Sequence, residues 1–139
     1  PDEWTYDTLL HAAARQEDMS TLHRHVQDTK ASGGTWPLAR FGLVAQELAK
    51  QGRYEELVMT RNLLSEEDAN KRRVWSYLFE SLRNNEDTEV DEVKRLFDDF
   101  MKTGQEPSYK IKANFVKAAD CPVTVEVVAN RYDVEFPQV

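Results

Sequence analysis

Three histidines, one cysteine and several carboxylate runs are the residues of this chain whose chemistry goes beyond packing. His23 and His25 are two positions apart. On a helix that separation is about 200° around the axis, so the two rings cannot share one metal ion. His11 lies in the preceding helical segment and can approach one of them, but no third ligand is evident, and no metal site is expected. Cys121 has no Cys-x-x-Cys partner and no attached motif, so it reads as an idle or structural thiol rather than a nucleophile. Asp98-Asp99 and Glu66-Glu67-Asp68 read as solvated helix faces. No glycine-rich phosphate loop, nucleophile elbow or metalloprotease histidine pair is present. The expectation is a protein that is not an enzyme, with no cofactor and no small-molecule substrate.

Lys71-Arg72-Arg73 is the one dense basic cluster. Next to Glu66-Glu67-Asp68, its plain reading is charge pairing at a loop; its functional reading is contact with an acidic partner surface or a phosphate. Trp4, Trp36 and Trp75 are equally two-sided. Trp75 falls on an apolar helix face, whereas Trp36 stands just before Pro37, where an exposed indole would mark a protein interface.

The spacing of apolar side chains says what must position these residues. Val90, Val93, Leu96, Phe97, Phe100 and Met101 follow one another at steps of 3, 3, 1, 3 and 1, with charged residues between them. That is a stripe of helical period. Tyr6, Leu9, Leu10, Ala13 and Ala14 repeat it, as do Leu38, Phe41, Val44, Ala45 and Leu48, and again Val74, Trp75, Leu78, Phe79 and Leu82. Val123, Val125 and Val127 alternate as a strand would, but Val123, Val127 and Val128 also fit a helix, and the repeat context selects helix. Pro37 suits a helix start, and Gly52 a left-handed C-terminal cap. Thr88 can cap the helix that carries Val90, while Asp120 and Pro122 can start the last helix. The spans expected are 4–15, 18–31, 37–51, 53–66, 70–84, 88–103, 108–119 and 122–133.

Composition agrees with an all-α domain. A chain of 139 residues fits one domain, and can bury about two-thirds of its unfolded surface. Hydrophobic residues at 40% and charged residues at 31% place it in the soluble globular class. Five glycines and five prolines are too few for a turn-rich all-β protein, and a single cysteine excludes an internal disulfide framework. No apolar run approaches the roughly 20 residues of a membrane span. With 25 acidic and 18 basic residues the net charge is -7. This opposes broad, sequence-independent nucleic-acid binding but leaves room for a local basic site. The sequence opens at Pro1 rather than Met, so no targeting signal is read from it.

Three segments resemble one another, opening at Trp4, Ala39 and Arg73, with a fourth from Tyr109 cut short by the C-terminus. Tyr6, Phe41 and Trp75 then form one aromatic column, spaced by 35 and 34 residues. Such a period is the length of one helix-turn-helix unit of a solenoid. The expected organisation is a single helical-repeat domain over 1–139, with units at 4–38, 39–72 and 73–108 and a partial unit at 109–139.

The stretch from Lys94-Arg95-Leu96-Phe97-Asp98-Asp99-Phe100-Met101 to Lys102-Thr103-Gly104-Gln105-Glu106-Pro107-Ser108 resembles the second half of a pentatricopeptide repeat. Trp4-Thr5-Tyr6-Asp7-Thr8-Leu9-Leu10 is similar to the opening helix of such a unit. Tetratricopeptide repeats are the nearest alternative, but their small-residue columns are not clear here. The resemblance implies a right-handed α-solenoid of about four antiparallel helix pairs, the first helix of each pair lining a concave face. It implies a mitochondrial or plastid setting, and single-stranded RNA as the usual ligand, one base being read by two polar side chains per repeat. The matching positions are Thr8 with Leu38, Leu43 with Arg72, and Tyr77 with Ser108. Only Thr8 is a usual reader, and its partner is apolar, so the chain departs from the family where RNA recognition lives. The row Thr8, Leu43 and Tyr77, extended by Ala113, suits an extended peptide or a helix. The resemblance thus implies a non-catalytic subunit that binds a protein within a mitochondrial assembly, as small members do in mitochondrial ribosomes and, in euglenozoans, on the F1 sector of ATP synthase. RNA binding is the alternative, and it requires a positive stripe on the concave face.

Overall fold

The computed structural model describes residues 3–139, and their only regular secondary structure is helix. The helices are α1 (Glu3–Arg15), α2 (Met19–Ala31), α3 (Leu38–Lys50), α4 (Tyr54–Arg61), α5 (Glu66–Ala69), α6 (Arg72–Arg83), α7 (Val90–Met101), α8 (Tyr109–Ala119) and α9 (Pro122–Tyr132). Seven of the expected spans lie within two residues of these bounds at either end. The valines at the start of the last segment belong to helix α9, with Pro122 in its first turn.

Helix fills only Tyr54–Arg61 of the span expected at 53–66, and a separate α5 begins at Glu66, because the segment between them has inward work to do. Leu63 and Leu64 are buried, and their N–H groups turn back to the carbonyls of Thr60 and Arg61. The Leu63 carbonyl leaves the helical ladder to accept the Trp36 N–H at 2.8 Å. Ser65 then restarts the chain, its side chain accepting the Asp68 N–H as a cap on α5. Two further boundary residues act differently from expectation. Thr88 is not the cap of α7; its hydroxyl donates to the Leu82 carbonyl at 2.7 Å and Glu89 takes the cap position. Asp120 does not open α9 but closes α8 in the left-handed conformation, with φ 44°.

The helices pack in a regular order. α1 lies on α3, α3 on α6 and α6 on α8, while α2 meets α4 and α7 meets α9. Leu10, Phe41, Leu48, Leu78, Phe97, Phe115 and Val128 belong to one continuous buried cluster that runs the length of the chain. At the C-terminal side it becomes aromatic: Phe97 meets Phe115 at 4.8 Å between ring centroids and Phe136 at 5.5 Å. Phe136 stacks on Phe115 at 5.0 Å, so the tail beyond α9 folds back over the end of the core.

Polar contacts between helices recur at sequence separations of 33 to 37 residues. The Gln51 amide donates to the Ala14 carbonyl, and the Asn84 amide, 33 residues on, donates to Ala49, 35 residues on. The Gln105 amide reaches the Asn70 carbonyl in the same way. Each bond adds a side-chain donor to a carbonyl at or just beyond a helix C-terminus; those of Ala14 and Ala49 also accept the Glu17 and Gly52 N–H groups. Gly52 lets two units approach, since a Cβ there would sit 2.6 Å from the Asn84 carbonyl oxygen, and its φ of +71° is one that L side chains avoid.

Candidate partner-binding face

Charge is divided between the helices. α1, α3, α6 and α8 carry nine basic residues (Arg15, Arg40, Lys50, Arg72, Arg73, Arg83, Lys110, Lys112 and Lys117) against four acidic ones (Glu3, Asp7, Glu47 and Glu80). α2, α4, α5, α7 and α9 carry six basic residues and eleven acidic ones. The chain is acidic as a whole, yet the helix series α1–α3–α6–α8 is basic. Part of its charge is already paired: Arg40 with Asp7 at 2.5 Å and Lys110 with Glu80 at 3.9 Å.

The sequence-predicted concave row does not form one surface. Thr8 is exposed, but its hydroxyl is spent on the Trp4 carbonyl one turn back at 2.8 Å. Leu43 is 38% exposed. Tyr77 is 8% exposed, its ring edge-on to Phe41 with centroids 6.2 Å apart. Tyr77, expected in the concave partner row, is instead largely buried. α6 is the central helix, with α3, α4, α7 and α8 all packed against it, so little of its circumference remains for solvent. Ala113 is half-buried.

The basic cluster splits three ways. Lys71 pairs with Asp68 at 3.2 Å, as a loop ion pair should. Arg72 donates to the Glu106 carbonyl at 3.4 Å. Arg73 is exposed and has neither an ion pair nor a side-chain hydrogen bond among the described residues. It lines a groove of about 380 Å³ with Leu38, Ala39, Gly42, Leu43 and Gln46, so the fold brings two of the expected site residues, Leu43 and Arg73, together between α3 and α6. Ala39, Gly42 and Gln46 were not expected there. The signal for them is Gly42 itself, a glycine inside a helical pattern with no turn to serve.

Trp36 is 2% exposed and its indole N–H donates to Thr29 Oγ1 at 3.2 Å, so it belongs to the core rather than to an interface. Trp75 is 4% exposed, with the Arg61 guanidinium 4.5 Å from its ring centroid and Phe100 edge-on at 5.5 Å. Burial lowers the Arg61 pKa and raises that of neighbouring Tyr54. No metal-holding group of three or more His, Cys, Asp or Glu occurs among the described residues, and His25 instead packs edge-on to Tyr6 at 5.1 Å. The Cys121 thiol is held below its ordinary pKa by hydrogen bonds from the side chain and then the backbone of Thr124. The hollow beside it is lined mainly by α8, α9 and the tail. Among the described residues no helix is long and apolar enough to cross a membrane.

The chain matches no protein-family model, and no curated protein or solved structure is significantly similar to it.

Proposed function

We propose that this chain is a non-catalytic helical-repeat protein that binds another protein through the face formed by α1, α3, α6 and α8. The arrangement that goes with this reading is a right-handed α-solenoid of four antiparallel pairs, α1/α2, α3/α4, α6/α7 and α8/α9, with α5 as an insertion in the second. The period near 35 residues and the inter-unit hydrogen bonds at separations of 33 to 37 support it. The observation that carries the binding reading is the groove between α3 and α6, where exposed Leu43 meets Arg73, which has no ion pair among the described residues, on the basic helix series of an acidic chain.

The setting is a mitochondrial assembly, with the F1 sector of ATP synthase as the particular candidate; this part rests on the pentatricopeptide resemblance at Lys94 to Ser108. The test is native purification of the tagged chain from mitochondria, with ribonuclease treatment before elution. Protein subunits retained at near-stoichiometric levels support the reading, and F1 subunits among them support that assembly. A chain that elutes alone, or partners released by ribonuclease, would overturn it.

Single-stranded RNA is the second reading, and the basic excess of α1, α3, α6 and α8 is the observation in its favour. Against it stand the code positions: a self-bonded Thr8, an aliphatic Leu43 and a buried Tyr77 offer no base-edge partners.

A further inference from the structure

Gly42 is the key to the groove between α3 and α6. Glycine weakens a helix interior, so a reason for it is needed. Packing supplies none: a Cβ at this position would meet no atom closer than Arg73 Nη2, at 3.9 Å. What glycine does is leave the floor open beneath the guanidinium. Leu38 and Leu43 supply aliphatic surface beside it, and Gln46 adds an amide. The volume, about 380 Å³, is near the small end of the roughly 300–1,000 Å³ of ligand pockets, which suits a short stretch of chain rather than a whole helix.

The charge around the groove selects the occupant. Among the described residues Arg73 has no carboxylate to satisfy it, and Asp7 and Glu80 on the same series of helices are engaged by Arg40 and Lys110. The acid-rich hollow lined by Glu55, Glu56, Glu86, Asp87 and Glu92 repels a carboxylate. An acidic segment is thereby steered to the basic side. The groove has no aromatic lining on which a base can stack, which disfavours RNA there.

We propose that this groove binds an extended protein segment that pairs a carboxylate with a neighbouring aliphatic side chain, the carboxylate on Arg73 and the aliphatic group on Leu38, Gly42 and Leu43. The guanidinium fork matches a carboxylate with two parallel hydrogen bonds. The proposal rests on the protein-binding reading and names the chemistry of its ligand.

The experiment uses the full chain against a random peptide display library and, separately, a fluorescein-labelled random-sequence single-stranded RNA near physiological salt. Selected peptides should share Asp or Glu beside Leu, Ile or Val. Their affinity should fall by about tenfold or more in Arg73→Glu and in Gly42→Leu, which fills the floor, and should survive in part in Arg73→Lys. Unchanged helix content and melting temperature in each variant exclude loss of fold, and Leu43→Asp serves as the alternative if Gly42→Leu is unstable. Acidic-aliphatic peptides that bind all variants equally overturn the groove while leaving protein binding intact. Failure to enrich any such motif, with RNA bound instead and weakened by Arg73→Glu, overturns both.

Discussion

Single side chains in this protein are separated by burial more than by type. Trp75 and Trp4 share a residue type, yet Trp75 is 4% and Trp4 76% exposed. Trp75→Ala removes a ring held between Arg61 and Phe100 and should cost about 3–5 kcal/mol, read as a drop in the urea midpoint. Trp75→Phe should cost well under half as much, because the indole N–H has no acceptor to lose. Leu43 and Tyr77 occupy matching repeat positions but not matching surroundings. Leu43→Asp should change stability by no more than about 0.5 kcal/mol. Tyr77→Asp, which puts a carboxylate against Phe41, should unfold much of the chain at 37 °C by circular dichroism. A stable Tyr77→Asp protein would show that α6 is less enclosed than its neighbours imply.

Among the elements, the end of the molecule is held by α9 and the tail. The Tyr132 hydroxyl donates to Asp98 on α7 at 2.5 Å, beside Arg131 at 3.5 Å from the same carboxylate. That hydrogen bond, then burial and the Asp98 charge, raise the phenol above its ordinary 10.0. A raised folded pKa favours the protonated group in the folded state. Its contribution is therefore complete below the unfolded value and disappears as pH rises through the folded one. Tyr132→Phe should lower stability by about 1 kcal/mol at neutral pH, and the gap between variant and parent should close above about pH 10 when urea midpoints are compared. A gap that persists there would mean that the hydroxyl is not what holds α9. Phe136 lies on Phe115 and Phe97, and Phe136→Ala should cost about 1–3 kcal/mol as half-buried aromatic surface is lost. Protease sensitivity that rises first at α9 is the expected signature.

At the scale of the whole molecule the separation of charge governs what approaches it. With net charge -7 spread unevenly, a filter-binding titration with single-stranded RNA should show weak, salt-sensitive and sequence-independent retention near physiological salt. Submicromolar, sequence-selective binding would replace the protein-binding reading with the RNA one.

Helix type and the number of long helices were readable because they depend on local spacing: an apolar stripe every three or four residues has one economical solution, a helix on a shared core. Gly52 was readable as a left-handed cap for the same local reason. The interruption after Arg61 was not, since it depends on Leu63 and Leu64 finding the core and on Trp36, distant in sequence, taking the Leu63 carbonyl. Of the expected row, Leu43 is exposed as its position suggested and Tyr77 is not. Repeat alignment places both alike, and only the packing of four helices around α6 buries one of them. The pairing states of Lys71, Arg72 and Arg73 are likewise tertiary facts, because Glu106, the partner of Arg72, lies 34 residues away. Sequence alone determined that the chain is helical and acidic. The tertiary structure decided how the helices pack into a basic and an acidic series, which residue of the Lys71–Arg73 cluster has no partner among the described residues and where a groove stays open, because each depends on neighbours that chain order does not name.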